Sequence, residues 1–199
     1  ALEQIHFPSN LAMLERARHR LAFDEFFVIQ LGMLRQRQRW QSQAAQALPT
    51  DEAALQSFLA SLPFTLTVAQ RRALTEISND LAQSRPMSRL LQGDVGSGKT
   101  AVAAATMRIA LAQGKQAALM APTEILAEQH FITLTRLFER DASAPSIRLL
   151  TGSMKKSEKQ AVYADAASGL AGIVVGTHAL IQEGVAFKDL ALVVIDEQH

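Results

Sequence analysis

The chain has no cysteine, which excludes disulfides, thiolate metal sites and a cysteine nucleophile and makes a cytoplasmic address the expectation. It also has almost no net charge: 20 Lys and Arg stand against 19 Asp and Glu, a formal balance of +1. Any affinity for a polyanion must then come from local patches and backbone N–H groups, not from a global positive field. Long hydrophobic runs are missing too. The longest apolar stretch, Ala101 to Ala112, contains Thr106 and Arg108 and is too short and too polar to span a bilayer. No basic and apolar leader opens the sequence, so a soluble protein without a membrane partner is expected. What is present is an ordinary globular composition, 48% hydrophobic and 20% charged over 199 residues, enough for one good core plus an appendage.

The most informative stretch is Gly93-Asp94-Val95-Gly96-Ser97-Gly98-Lys99-Thr100, a complete phosphate-binding loop. Glycines at 93, 96 and 98 let the backbone turn tightly and aim N–H groups at phosphate oxygens. Lys99 is spaced to reach the terminal phosphates, and the Thr100 hydroxyl to bind Mg²⁺. Leu90-Leu91 precedes the loop as the end of a buried strand, and an alanine-rich helix from Ala101 to Ala112 follows it. That order of strand, loop and helix separates a nucleoside triphosphate site from a merely structural glycine turn.

A second signal completes the site. Leu190 to Ile195 is a continuous aliphatic run of the kind a strand buried on both faces requires, and it delivers Asp196 and Glu197 at its carboxyl end. Ligands of open α/β sheets bind at that edge. Asp196 is expected to hold Mg²⁺ through water, and Glu197 to polarise the water that attacks the terminal phosphate. Two carboxylates after a strand could form a solvated acidic turn; a phosphate loop in the same chain favours the catalytic assignment.

Residues 10–46 contain no proline, a single glycine at Gly32 and many strong helix formers, so they read as one long helix or a pair. Leu14, Leu21 and Val28 recur at seven, with Ala17, Leu31, Phe23, Phe26 and Phe27 widening the stripe into a face that must pack on a partner. Arg16, Arg18, Arg20, Arg35, Arg37 and Arg39 make this segment basic, either as a solvated face or as a DNA contact. Trp40 could pack at the helix end or stack on a base. Leu48-Pro49-Thr50 breaks the pattern, 51–60 reads as a short helix, and Leu62-Pro63-Phe64 marks a boundary between an α-helical appendage, 1–62, and a second domain, 63–199. In that domain helices at 67–83, 101–112, 124–139 and 155–167 alternate with strands at 88–91, 116–120, 146–150, 172–175 and 190–195. Such alternation implies an α/β fold with a parallel sheet and helices on both faces. His130 and the methionines read as packing residues.

Together the phosphate loop with Gln92 before it, Ala121-Pro122-Thr123-Glu124-Ile125-Leu126-Ala127-Glu128-Gln129-His130, Gly176-Thr177-His178-Ala179-Leu180 and Asp196-Glu197-Gln198-His199 resemble the ordered motifs of superfamily 2 nucleic-acid motors, and more closely those of the RecG branched-DNA helicases. Four motifs in order are far more specific than one. The resemblance is strong over 63–199 and extends less specifically through Ile5-His6-Phe7-Pro8 and the long helix, which in that family links a DNA-reading wedge domain to the motor. It implies a RecA-like first motor lobe, with ATP and Mg²⁺ as ligands and branched DNA, gripped by its backbone, as partner. It also implies that Phe64 and Gln70 recognise adenine, one by stacking and the other by its amide. Thr123, Gly152 and Thr177 match positions that grip the phosphate backbone, although Thr123 would equally cap a helix. His199 matches the residue that couples nucleotide state to DNA.

The same family has a second lobe carrying an arginine finger, a further strand after the acidic motif and the wedge domain. None lies in this sequence, which therefore reads as a fragment of a longer protein, a fragment expected to bind nucleotide without itself turning over as a motor. Loss of a transition-state arginine costs about 10³ to 10⁵ in related phosphoryl-transfer enzymes. Two alternatives carry the same motifs. One is the motor of a transcription-repair coupling factor, against which Gln92 and Gln198-His199 weigh; the other is a non-catalytic nucleotide- or DNA-binding module, against which intact Lys99, Thr100, Asp196 and Glu197 weigh for the parent protein but not for the fragment.

Overall fold

The computed structural model describes residues 1–182 and 184–197, in two compact units, Ala1–Ala45 and Gln46–His199. The expected boundary at Leu62 falls inside the second unit.

In the first unit, helix α1 (Leu2–His6) packs against a long helix, α2 (Leu11–Gln41). Asn10 caps α2 by accepting a 2.9 Å hydrogen bond from the Met13 N–H, which satisfies one of the orphan donors of the first turn. Between the two sequence options, one helix is formed: Gly32 does not interrupt it, and it ends at Gln41. The apolar stripe is not buried as expected. Phe23, Phe26, Phe27, Val28 and Leu31 are all exposed, Phe26 by 66%, and only Ala17 of this helix is buried. Phe23 stacks on Phe27, and the Arg20 guanidinium lies 5.5 Å above the Phe23 ring while pairing with Asp24.

The second unit runs α3 (Glu52–Ser61), α4 (Val68–Leu81), α5 (Lys99–Ala112), β1 (Gln116–Met120), α6 (Glu124–Phe138), β2 (Ile147–Leu150), α7 (Lys156–Ser168), β3 (Ile173–Gly176), a 3₁₀ turn at His178–Ile181 and β4 (Leu190–Ile195). The strands form one parallel sheet in the order β2-β3-β1-β4. Side chains alternate across it, as the strand period of two requires. Ile173 and Val175 enter a core shared with Phe58 of α3, Leu74 and Ile77 of α4, Met107 of α5 and Leu134 of α6. Val174 between them enters a second core with Val162 and Ala166 of α7. Helices therefore cover both faces, the RecA-like arrangement expected of the motifs. The ring of Phe58 lies 4.8 Å from that of Phe138, and this contact, together with buried Leu55, ties α3 into the core of the second unit.

Helix α5 is fully integrated because it is small: Ala104, Ala105 and Ala110 are 0% exposed, so backbone can lie close to the sheet. Arg108 on the same helix is buried with Asp141, its Nε 2.8 Å from Asp141 Oδ2 but off the line of a hydrogen bond. Asp141→Ala would leave the guanidinium uncompensated. Such a loss costs about 3–5 kcal/mol, an effect that urea denaturation of the chain should register; a change under about 1 kcal/mol would mean that Arg108 escapes to solvent.

One expected strand is absent. Ser88–Leu91 has no ladder partner among the described residues. An extended segment becomes a strand only by pairing its N–H and C=O groups with a neighbour, and this one is anchored by side chains instead. Arg89 reaches Asp80 and Glu76 of α4, both at 2.7 Å. A hydrogen bond from Arg72 to Glu76, followed by the one from Arg89, holds the Glu76 carboxyl below its usual range.

Candidate active site

The four strands end in register. Leu150 pairs with Gly176, Gly176 with Met120, and Met120 with Ile195. The ladder continues one step further: Thr177 N–H donates to Leu150 O, Ala121 N–H to Gly176 O and Asp196 N–H to Met120 O, at 3.3, 2.8 and 2.8 Å. Gly176 is required here, since a Cβ would run into the Leu150 carbonyl. The segments carrying Gly152, Thr177, Thr123 and Asp196 thus all leave the carboxyl edge of one sheet. The phosphate loop belongs to this edge as well. Only Gln113–Lys115 separate the end of α5 from the start of β1, so α5 ends at the amino edge and, at about 1.5 Å per residue, its first turn lies at the opposite one.

At that first turn the loop forms a cradle. Gly98, φ +78°, is the N-cap of α5 and makes no side-chain cap bond, and Gly96 has φ +79°. Both lie in the left-handed region that glycine adopts without strain. A helix start without a side-chain cap, with N–H groups and the positive end of the helix dipole pointing outward, suits an anion. A Cβ at Gly98 would also collide with the Gln70 amide. Lys99 Nζ donates to the carbonyls of Gly93 and Asp94 at 2.8 and 3.0 Å, which folds its charge over the loop. Asp94, Val95 and Ser97 are exposed along the rim, and Thr100 sits half-buried inside it.

Gln70 does something the sequence reading missed. Its side-chain oxygen accepts from Thr67 N–H at 2.8 Å, completing a capping box at the start of α4, while its Nε2 donates 2.8 Å to Ser97 O. The Thr67-x-x-Gln70 pattern was readable as a capping box; its reach to the phosphate loop was not. One amide N–H stays free for the adenine contact expected of Gln70. Phe64, the residue expected to stack on adenine, is 45% exposed.

At the end of β4, Asp196 Oδ2 lies 2.6 Å from His130 Nε2 on α6, so His130, read from the sequence as packing, touches the acidic motif. Glu197 is exposed and has φ +48°, the one described non-glycine residue with positive φ and a conformation that concentrates at functional sites. The coupling residue expected at His199 lies outside the described residues. Thr100 and Asp196 supply hard oxygen donors that fit Mg²⁺, which binds through one or two protein oxygens plus phosphates and water. Among the described residues no cluster of three or more His, Asp or Glu side chains forms a separate metal cage.

On the DNA-side positions, Thr123 caps α6 by accepting from Leu126 N–H at 3.3 Å, and Thr177 caps the 3₁₀ turn by accepting from Ala179 N–H at 3.5 Å. Gly152 is exposed and held from two sides. Lys159 Nζ donates 2.7 Å to its carbonyl, and the adjacent Ser153 donates both its N–H and its hydroxyl to Glu124, at 2.9 and 2.6 Å. The Ser153 hydroxyl, followed by its N–H, keeps the Glu124 carboxyl below the usual carboxylate range. A loop fixed in this way presents its backbone groups in one geometry.

The family model described as DEAD/DEAH box helicase matches residues 67–199, from the α4 cap through the acidic motif. The chain belongs to the DEAD/DEAH box helicase family. A DEAD/DEAH box helicase domain implies ATP use. Relatives within it include the ATP-dependent DNA helicase RecG of Synechocystis, 51% identical over 100% of this chain and 24% of the relative. The proteins of the same name from Streptococcus pneumoniae and Bacillus subtilis are 47% and 48% identical, again over 100% of this chain and 29% of each relative. The chain therefore spans 24% to 29% of the length of these curated relatives. A solved structure of RecG bound to a three-way DNA junction superimposes with a TM-score of 0.87 at 44% identity, over 98% of this chain and 27% of that one. No described helix of this helicase segment is long and apolar enough to cross a membrane.

Proposed function

We propose that this chain is the ATP-binding lobe of a cytoplasmic, ATP-dependent DNA helicase that remodels branched DNA, such as forks and junctions, in recombination and repair. The observation that carries the reading is the common carboxyl edge: the acidic motif and three candidate backbone-gripping positions leave one row of strand ends, and the phosphate cradle lies at the same edge, at the first turn of α5. RecG relatives, one of them seen on a three-way junction, support the DNA side. The motif-bearing part of the lobe corresponds to residues 63–199 and the helical linker to 1–62, whose last helix, α3, packs into the core of the lobe. A second lobe with an arginine finger and a wedge domain would belong to the parent protein.

In this reading the loop from Gly93 to Gly98 wraps the phosphates with backbone N–H groups, while Phe64 stacks on adenine and Gln70 reads its edge. Lys99 exchanges its bonds to Gly93 and Asp94 for the terminal phosphates. Thr100 and Asp196 hold Mg²⁺, which when bound neutralises charge developing on the phosphate oxygens. Glu197 orients the attacking water and takes its proton. Thr123, Gly152 and Thr177 bind the DNA backbone, and His199 links the acidic motif to the DNA side.

The test is made in the full-length parent with Thr123→Ala and Thr177→Ala combined. Fluorescence anisotropy on two forks of unrelated sequence should show weaker binding by a similar factor on both, because phosphate contacts carry position and not base identity. A labelled-nucleotide titration should be nearly unchanged. Unaltered DNA affinity would mean that the two hydroxyls serve only as caps, and equal wild-type affinity for fork and plain duplex would remove the branched-DNA assignment.

A further inference from the structure

Helix α6 is tied to both outer strands of the sheet. Through His130 it bonds Asp196 at the end of β4, and through Glu124 it bonds Ser153 just after β2. In the order β2-β3-β1-β4 those strands are three spacings apart, about 14 Å at the usual inter-strand distance. The sheet ladder links them only through two intervening strands; α6 links them directly.

We propose that His130 is a positioning residue that fixes the Asp196 carboxylate and, through α6, ties it to the Glu124-held loop at Gly152 and Ser153, so that nucleotide state and DNA grip act on each other. The inference rests on the reading of Asp196 as a Mg²⁺-side carboxylate and of Gly152 as a backbone contact.

Three observations carry it. Asp196 is a short side chain at the end of an edge strand, one-third exposed, whereas the His130 ring is 16% exposed and anchored on a helix. A hydrogen bond from the ring to Oδ2 therefore removes rotamer freedom from the carboxylate while engaging only one of its two oxygens. Next, α6 cannot shift piecemeal: Ala127, Leu134 and Phe138 are at most 1% exposed, and a packed helix moves as a unit. Finally, the far end is equally constrained. Glu124 accepts two bonds from Ser153, and a Cβ on Gly152 would come within 3.0 Å of Glu124 Oε1. A change in the position of Asp196 therefore has a rigid route to the loop, and strain on the loop has the same route back. Reciprocity between the two ligands is a thermodynamic requirement of any such coupling.

The experiment uses the full-length parent and forked DNA, with affinity read by anisotropy without nucleotide, with Mg·ADP and with ADP plus chelator. In the wild type, Mg·ADP should change the DNA dissociation constant by about 5-fold or more, the lower end of ordinary allosteric coupling. His130→Ala should reduce that factor below about 2-fold while DNA affinity without nucleotide stays near wild type. His130→Gln, whose amide can reach Asp196 and donate, should restore it; His130→Asn is too short and should not. If circular dichroism shows the alanine variant misfolded, the Gln and Asn pair decides. A wild-type factor retained in His130→Ala or His130→Asn, or no factor in the wild type, overturns the inference. The underlying reading fails separately: labelled ADP bound as tightly by Lys99→Ala as by wild type would remove the nucleotide site itself.

Discussion

In the full-length parent, Glu197→Gln should keep ATP binding and lose DNA-stimulated hydrolysis by about two orders of magnitude or more, the range expected when a proton-accepting group is removed. The side chain leaves the carboxyl edge one residue after Asp196, exposed, from a backbone held at φ +48°. A left-handed conformation at a non-glycine residue costs about 1–3 kcal/mol and persists only where the surroundings impose it. Glutamine has nearly the same shape and backbone preference, so the substitution removes the proton acceptor and little else. Steady-state phosphate release with branched DNA, alongside a labelled-nucleotide titration, separates the two effects. Near wild-type turnover would assign the water to another group, and loss of binding together with turnover would mean that Glu197 shapes the site instead of serving the chemistry.

The elements that carry the site were the most legible in the sequence. β1, α6 and β4 fall where aliphatic runs, the Pro122-Thr123 start and the acidic stop put them, because local propensity and tertiary packing agree there. Ser88–Leu91 misled for a physical reason: composition reports what a strand would bury, whereas strand formation depends on a partner elsewhere in the chain, and Arg89 anchors this segment to α4 without one. The helix Leu2–His6 and the turn at His178–Ile181 are too short for any hydrophobic period to register. The stripe of α2 was correctly placed on a helix, but its burial could not be inferred from periodicity, which says that a face is apolar and not what covers it. Within the candidate site, the phosphate loop and Asp196-Glu197 were proposed from spacing alone. The bonds of Gln70 to Ser97 and of His130 to Asp196 were not, since they span 27 and 66 positions and only the fold brings those pairs together.

In the proposed function this lobe binds a nucleotide through Lys99 and the cradle around it. Lys99 already donates to Gly93 and Asp94, so it is poised over the loop, and its transfer to phosphate oxygens replaces neutral acceptors with charged ones. Hydrogen bonds to charged groups contribute about 1.5–3 kcal/mol each, and two of them lost together weaken binding by about 100-fold or more. The Gly96 and Gly98 turns and the Gln70 brace on Ser97 remain in Lys99→Ala, so the fold should persist, with circular dichroism as the check. The decisive measurement is a calorimetric titration of Mg·ADP into the chain and into its Lys99→Ala variant. Saturable heat from the wild type and none from the variant over the same concentrations is the predicted result; equal heats from two folded proteins would contradict it.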